Sequence, residues 1–396
     1  MKNIRFFTAG ESHGQALSAI VEGMPAGLEL SEEDIAKELH RRQRGYGRGG
    51  RMKIEQDRAQ ILSGVRFGKT LGSPISLVLY NKDWQNWTGK MSIETGQGST
   101  EKLYMIRPGH ADFAGMVKYR QDDLRNILER SSARETTMRV AAGAIAKRFL
   151  NVFGIQLFGH VMCIGKASSA TSILDIPFAD RSEEWSDFFK RAESSPVACA
   201  DEKATKEMMR NIDKAQQEGY SLGGLFEVAA AGVPVGMGSH VHWDRKLDAQ
   251  IASAMMSINA IKSVEIGLGR AVSERPGSEV HDELFYNEEQ GFHRHHNFAG
   301  GIEGGMTNGE PVVVRLAMKP LPTMKSPLRS VNVKTRDLQN AHFERADVCA
   351  VPAAVVVAES MLALVLADAL VSKIGGDSIN EMQQRFQRLS RVPLDW

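Results

Sequence analysis

The sequence predicts an α+β fold, internally duplicated, with central helices sandwiched between two mostly antiparallel β-sheets. Three observations carry this expectation. The two halves repeat the same elements in the same order. The repeated strand pieces alternate in hydrophobicity and are joined by glycine-rich turns, which suits antiparallel pairing. Two long segments, near 132–150 and 352–373, are apolar on most sides and so predict helices buried between layers.

The elements follow in order. Met1–Phe7 reads as an opening strand. Residues 14–28 predict a second strand and then the turn Gly23-Met24-Pro25-Ala26-Gly27; residues 223–237 repeat this, ending in Gly232-Val233-Pro234-Val235-Gly236. In each turn proline pre-sets one dihedral and glycine takes the unusual one. Helical patterns follow over 31–42 and 244–262. Gly64-Val65 and Gly72-Ser73-Pro74-Ile75 precede a strand at 76–80, and Gly301-Ile302 and Gly309-Glu310-Pro311-Val312 precede a strand at 312–318. His110-Ala111-Asp112 and Arg345-Ala346-Asp347 each lead towards one of the long helices. Matched elements in one order indicate a duplication with pseudo-two-fold symmetry. We therefore expect a single domain over 1–396, with pseudo-repeat halves at about 1–160 and 221–375. The polar stretch 163–221, with an amphipathic helix over 201–218 (Met208, Met209, Ile212 and Ala215 on one side), reads as an insertion between them.

Composition narrows the function. A chain of 396 residues, 42% hydrophobic, can bury a large core, and a net charge of +1 argues against a general polyanion binder. Cys163, Cys199 and Cys349 are odd in number and widely spaced, which suits a reducing cytosol without a disulfide framework. The opening residues lack the apolar stretch of a secretion signal, so a cytoplasmic location is expected. The apolar run from Val351 to Leu370 has the length of a membrane span, but Pro352 opens it and Glu359 and Asp368 interrupt it. A central carboxylate costs roughly 2.5–3.5 kcal/mol on insertion, so a buried core helix is the expectation, and no membrane partner.

The stretch from His40 to Arg51 (HRRQRGYGRGGR) concentrates positive charge on a glycine-rich backbone. Clustered guanidinium groups repel one another unless an anion sits among them, and glycines offer bare amide N–H groups to it. Gly45-Tyr46-Gly47-Arg48-Gly49-Gly50 formally matches a dinucleotide fingerprint, but no hydrophobic strand precedes it and residues 51–55 alternate like a strand. An RNA-binding Arg/Gly patch is weakened because the run lies inside a folded region and is not repeated. A small, strongly anionic ligand fits better.

Other segments hold candidate chemistry beside plainer explanations. Gly10-Glu11-Ser12-His13-Gly14 is either a histidine proton donor beside anion-binding groups or a structural turn. Arg107-Pro108-Gly109-His110 repeats the pairing of guanidinium and imidazole. Glu129-Arg130-Ser131-Ser132-Ala133-Arg134-Glu135-Thr136 places hydroxyls and cations at a helix start, as an anion site or a capping arrangement. His240-Val241-His242 and His293-Arg294-His295-His296 invite a metal, yet no carboxylate stands at a familiar ligand spacing and polar loops explain them better. Gly300–Gly309 and Lys319-Pro320-Leu321-Pro322-Thr323 are turn chemistry, or a backbone on which a flat cofactor packs.

Gly10–Gly14, the Arg42–Arg51 run, Arg130–Thr136, Gly300–Gly305 and Arg345–Pro352, in this order, resemble the chorismate synthase family over about residues 4–375. The resemblance implies a carbon–oxygen lyase of the shikimate pathway, which leads to the aromatic amino acids. Its reaction is a 1,4-anti elimination of phosphate from 5-enolpyruvylshikimate 3-phosphate, requiring reduced FMN without net redox change. That substrate carries about four negative charges. The resemblance implies that Ser12, Arg42, Arg48, Arg51, Arg107, Arg134 and Arg345 line the substrate pocket. Arg130, Ser131, Ser132, Asn259, Ala260, Gly304 and the Lys319, Pro320, Leu321, Pro322, Thr323 turn would hold the flavin, with Arg345 serving both ligands. It further implies that His13 protonates the departing phosphate, that His110 protonates or holds the flavin, and that Asp347 orients the flavin edge. Arg41 and Arg44 are left as flanking or subunit-contact charges. Family members are commonly homotetramers. Some reduce their own flavin with NADPH (the NADP-linked type); lacking a separate domain for it, this chain is expected to depend on an external flavin reductant. No metal and no nucleic acid is expected. Competing readings are an RNA-binding protein, which leaves the histidine motifs unexplained, and a flavin-free phosphate lyase.

Overall fold

In the computed structural model, strands β1 (Arg5–Ala9) and β2 (Ala16–Glu22) pair antiparallel around the turn that holds Ser12 and His13. The model describes residues 3–49, 56–95, 101–176, 183–288, 291–343 and 347–389. Ser31 starts helix α1 (Glu32–Gln43) through a reciprocal capping box with Asp34, and three acidic residues occupy its first turn, where the helix dipole favours them. Strands β3 (Gln60–Ile61) and β4 (Ile75–Tyr80) complete a sheet ordered β1-β2-β4-β3, antiparallel throughout.

Helices α2 (Asp112–Tyr119) and α3 (Arg125–Ser131) lead into the long helix α4 (Thr136–Asn151). A second antiparallel sheet then begins with β5 (Gln156–Ile164) and the short edge strand β6 (Ala167–Ser168). Helices α5 (Glu183–Ser194) and α6 (Glu202–Glu218) follow, α6 capped by the Asp201 side chain and closed by Gly219 in the left-handed conformation. After them come β7 (Gly224–Ala231), helix α7 (Leu247–Met256), β8 (Ile261–Ile266) and β9 (Val312–Met318). Helices α8 (Val351–Ile374) and α9 (Ile379–Leu389) end the described chain.

The second sheet is ordered β8-β9-β7-β5-β6. Read from β5, its sequence β5-β7-β9-β8 repeats the first sheet's β1-β2-β4-β3. We read each as one repeated unit. On that reading the second unit starts at β5, and the polar segment lies between that unit's first two main strands. A small apolar cluster of Ile173, Ile176, Trp185, Phe188 and Phe189 packs it onto Ala229 and Val313 of the second sheet.

The helical pattern expected over 244–262 divides. Helix α7 stops at Met256, Ala260 adopts a positive φ of 68°, and Ile261 starts strand β8 against β9. The β-branched Ile261, Val264 and Ile266 fit that pleated pairing better than a further helical turn.

Helices α4 and α8 cross between the sheets, α4 against β2 and α8 against β5 and β7, while α1 packs on both. The crossing is close: a Cβ on Gly143 would lie 2.3 Å from the Ser360 Cβ. Helix α8 is long and apolar enough to cross a membrane, but 94% of its most apolar window is buried within the protein. Its two carboxylates are satisfied inside. Asp368 Oδ1 accepts from the backbone N–H of Asn3 (2.7 Å) and Ile4 (2.9 Å). Glu359 accepts from both Arg41 terminal nitrogens (2.7 and 3.0 Å) and from Lys147 Nζ (2.6 Å), with Glu38 sharing the same cations.

Candidate active site

The turn between β1 and β2 is gripped from one side by α3. Ser12 donates its backbone N–H to the Glu129 carbonyl at 3.1 Å. The backbone N–H and Nδ1 of His13 both meet Glu129 Oε2, each at 2.9 Å. Glu129 Oε1 accepts from Arg125 Nη1 at 2.9 Å, one helical turn earlier on the same face. The His13 ring stacks on Trp87 with centroids 3.9 Å apart, and the Arg125 guanidinium lies over the same indole. Buried Ser12 accepts from Ser132 Oγ at 3.3 Å.

Arg130 Nη2 donates to the carbonyl and hydroxyl of Thr8, and its Nη1 donates to the Gly10 carbonyl, so this guanidinium fixes the end of β1. Arg134, also buried, donates to both carboxylate oxygens of Asp57 (2.7 and 2.8 Å) and to Asn81 Oδ1. Asn81 in turn donates to the Gly14 carbonyl, closing the frame around the His13 turn.

Arg41 and Arg42 are neighbours on α1 and point apart. Arg41 turns inward to the buried Glu359, with Glu193 Oε1 3.5 Å from its Nε. Arg42 is 5% exposed and donates to Thr136 Oγ1 and the Ala133 carbonyl. Its Nη1 is buried without a hydrogen-bond partner, 3.8 Å from Asp57 Oδ2. Burial first, and then the neighbouring Arg48 and Arg134 charges, push the Arg42 guanidinium down to about 9. An arginine in proteins keeps its proton, so this displacement is a standing demand for an anion.

Beyond α1, Arg44–Gly49 is tethered to the polar segment. Tyr46 donates its hydroxyl to Asp213 (2.7 Å) and its N–H to the Pro196 carbonyl. A Cβ on Gly47 would stand 2.7 Å from Ile212 Cγ2, so only glycine allows this contact with α6. Arg48 pairs with Asp347 Oδ2 at 2.8 Å, while the Gly49 N–H donates to Asp347 Oδ1 at 2.6 Å. Arg51 and Arg345, both expected to line the pocket, lie outside the described residues.

His110 is built like His13. Its Nδ1 meets Asp112 Oδ1 at 2.5 Å, and Asp112 also accepts from the Arg107 backbone N–H, Nε and Nη2. Burial pushes the Asp112 carboxyl up, but the hydrogen bonds and charges of His110 and Arg107 more than reverse this and hold it well below the usual carboxylate range. Lys319 Nζ donates to the Gly109 carbonyl, and the Gly109 Cα faces Pro322. Burial and the nearby Lys262 push the Lys319 ammonium down.

The residues expected around a flavin join these two histidine turns. Lys319 donates its N–H to the Ala260 carbonyl, and Asn259 Nδ2 donates to the Ser131 carbonyl at 3.1 Å. Ser131 Oγ is directed back to the Ile127 carbonyl, and Ser221 Oγ holds the Leu321 carbonyl. Asn259 Oδ1 is buried without a hydrogen-bond partner. Thr323 is buried at the end of the turn and Pro320 is exposed. Gly304 sits at the tip of the hairpin Ile302–Thr307, and among the described contacts nothing ties it to this set. A path of contacts therefore runs from His110 through Lys319, Ala260, Asn259 and Ser131–Ser132 to Ser12 and His13.

Three histidines outside these turns pack locally. His242 Nδ1 meets Asp244 (2.7 Å), His295 lies against Phe285, and His296 stacks on Phe298. Among the described residues no group of three or more His, Cys, Asp or Glu could hold a metal ion. The sequence assigned no role to Glu129, Arg125, Trp87, Asp57, Asn81 or Asp112. Only Asp112, two residues after His110, and Glu129, inside a motif rich in hydroxyls and cations, carried a local signal.

Comparison with known proteins agrees along the whole chain. The family model described as chorismate synthase matches residues 4–371. The chain is 55% identical to the chorismate synthase of Aquifex aeolicus (strain VF5), covering 98% of this chain and 97% of that one. It is 53% identical to the chorismate synthase of Geobacillus sp. (strain WCH70), covering 98% and 99%. A solved structure described as a crystal structure of chorismate synthase superposes with a TM-score of 0.79 at 46% identity, covering 98% of this chain and 97% of that one.

Proposed function

This chain belongs to the chorismate synthase family and is a lyase, and from that premise we propose that it eliminates phosphate from 5-enolpyruvylshikimate 3-phosphate to give chorismate, with reduced FMN as cofactor. One observation supports the substrate above others: Arg42, buried beside Arg48 and Arg134, keeps an Nη1 that makes no hydrogen bond and has only Asp57, at 3.8 Å, for charge. A phosphate or carboxylate is the group such a site accepts, and guanidinium is the side chain suited to it. The buried, unpartnered Asn259 Oδ1 supports the flavin, because a ring N–H would satisfy it.

In this reading Ser12, Arg42, Arg48, Arg51, Arg107, Arg134 and Arg345 orient the substrate, Arg134 while also holding Asp57 and Asn81. The arginines stabilise the charge that grows on the departing phosphate. His13 delivers a proton to that phosphate. His110, held by Asp112, hydrogen-bonds the flavin, and Arg130, Ser131, Ser132, Asn259, Ala260, Gly304 and residues 319–323 shape its bed. Asp347 draws the Arg48–Gly49 strap across the site and orients the flavin edge. The chemistry that reduced FMN supplies when bound is transient electron donation as the allylic C–O bond breaks.

The same reading includes a cytoplasmic homotetramer that takes its reduced flavin from an external reductant. The homotetramer is supported by Phe7, Ile20 and Tyr80, exposed on one face of the first sheet, where no helix among the described residues covers them. The decisive experiment is anaerobic turnover of the phosphorylated substrate with photoreduced FMN, repeated with NADPH and oxidised FMN. Chorismate and phosphate are expected in the first arm only. No phosphate release in either arm overturns the assignment, and turnover in the second overturns the external reductant.

A further inference from the structure

We infer that Glu129 is a positioning residue that fixes which nitrogen of His13 exchanges the catalytic proton, an inference that rests on the proton-donating role proposed for His13. The geometry is specific. Glu129 is 2% exposed and uses both oxygens: Oε1 takes Arg125 Nη1, and Oε2 takes the His13 backbone N–H and Nδ1. A carboxylate that accepts from an arginine is ionised and can only accept. The proton at the His13–Glu129 contact therefore belongs to Nδ1.

Two consequences follow for proton transfer. With Nδ1–H held by a charged acceptor, the proton given to the phosphate leaves from Nε2, and the neutral ring that remains is the Nδ1–H tautomer. The ring plane is fixed at the same time by stacking on Trp87 at 3.9 Å, with Arg125 lying over that indole. Arg125 thus serves twice, holding the carboxylate by one hydrogen bond and covering the surface on which the imidazole rests. Glu129 also grips two successive backbone N–H groups of the turn, that of Ser12 through its backbone carbonyl and that of His13 through its carboxylate. Histidines that must present one defined nitrogen are commonly held this way by a carboxylate on the other.

The test is a double-mutant cycle with Glu129→Gln and His13→Ala in the flavin-loaded enzyme. Glutamine keeps the shape but removes the charged acceptor. Glu129→Gln is expected to lower kcat about 10–100-fold with KM for the substrate and flavin affinity unchanged, and to cause no further loss in the His13→Ala background. An equal loss in both backgrounds overturns the inference, since Glu129 then acts on the fold and not through His13. ¹⁵N NMR of the histidines in the native protein needs no folded variant. The His13 ring should show a protonated Nδ1, and a neutral Nε2–H tautomer overturns the inference. Wild-type phosphate release separates the two levels: its absence overturns the proposed reaction, whereas release with a failed cycle overturns only the role of Glu129.

Discussion

Replacing Arg42 by methionine should stabilise the ligand-free protein while crippling substrate binding. The guanidinium is buried and its pKa pushed down to about 9 by burial and by Arg48 and Arg134. A displacement of that size corresponds to about 5 kcal/mol held against the charged form, at 1.36 kcal/mol for each tenfold change in acidity. Against it stand three hydrogen bonds, to Thr136 Oγ1 twice and the Ala133 carbonyl, worth about 1 kcal/mol each. Their removal strands no acceptor, because Thr136 Oγ1 itself donates to the Ala133 carbonyl at 2.6 Å. Asp57 likewise keeps its two bonds from Arg134. The balance is a gain of about 2 kcal/mol, or roughly 2–4 °C in Tm for a chain of this size. Substrate loses a charge-assisted contact worth about 1.5–3 kcal/mol, so its Kd should rise about 10–150-fold. Thermal scanning without ligand and calorimetric titration with substrate measure the two halves. A lower Tm, or an unaltered Kd, refutes the reasoning.

Four further outcomes follow. Glu359→Gln removes the buried carboxylate shared by Arg41 and Lys147, leaving Lys147 with Glu38 and Arg41 with Glu38 and the more exposed Glu193, and should cost about 3–5 kcal/mol in urea unfolding, against a neutral effect if the cluster were solvated. Gly143→Val drives a side chain into Ser360 at the α4–α8 crossing and should cost more than about 3 kcal/mol, or prevent folding, read as soluble yield and Tm. Burial pushes the Glu38 carboxyl up, but Lys147 and Arg41 more than reverse this and hold it at about 2, against its ordinary 4.5. Its folded value is the lower one, so its stabilisation is complete above pH 4.5 and disappears as the pH falls towards 2. Urea midpoints at pH 6 and pH 3 should therefore differ, and equal midpoints contradict the cluster's role. Asp112→Asn weakens the hold on His110 and Arg107 together, and turnover should fall about 10–100-fold; full activity would show that His110 needs no carboxylate.

The parts legible in the sequence were those written in local chemistry. Paired Gly-x-Pro-x-Gly turns marked the ends of β2 and β7, and segments apolar on most sides marked α4 and α8. What stayed hidden depends on partners distant in sequence. The carboxylate that holds His13 lies 116 residues away, and nothing near His13 announces it. Arg41 and Arg42 read alike as charges in one basic run, yet one helical step sends them to different environments, the buried Glu359 carboxylate for Arg41 and Thr136, Ala133 and Asp57 for Arg42. Arg134 read as a ligand contact; its bonds to Asp57 and Asn81, 77 and 53 residues away, carried no signal in the sequence. The end of α7 was missed because residues 244–262 keep an apolar periodicity through Ala260, and only its positive φ turns the chain into β8.

The position of α8 also governs when the protein can fold. Its Asp368 holds the backbone of Asn3 and Ile4, and its Glu359 neutralises Arg41 and Lys147, so both β1 and α1 depend on a helix that begins about 200 residues after α4 ends. At a ribosomal rate of about 5–20 residues per second, the first sheet and α4 must wait about 10–40 s for the helix that covers them. Contacts of such long sequence separation also make folding intrinsically slow. The amino-terminal half thus lacks its covering helix for most of synthesis, and α8 is the element whose arrival completes the packing of β1, α1 and α4.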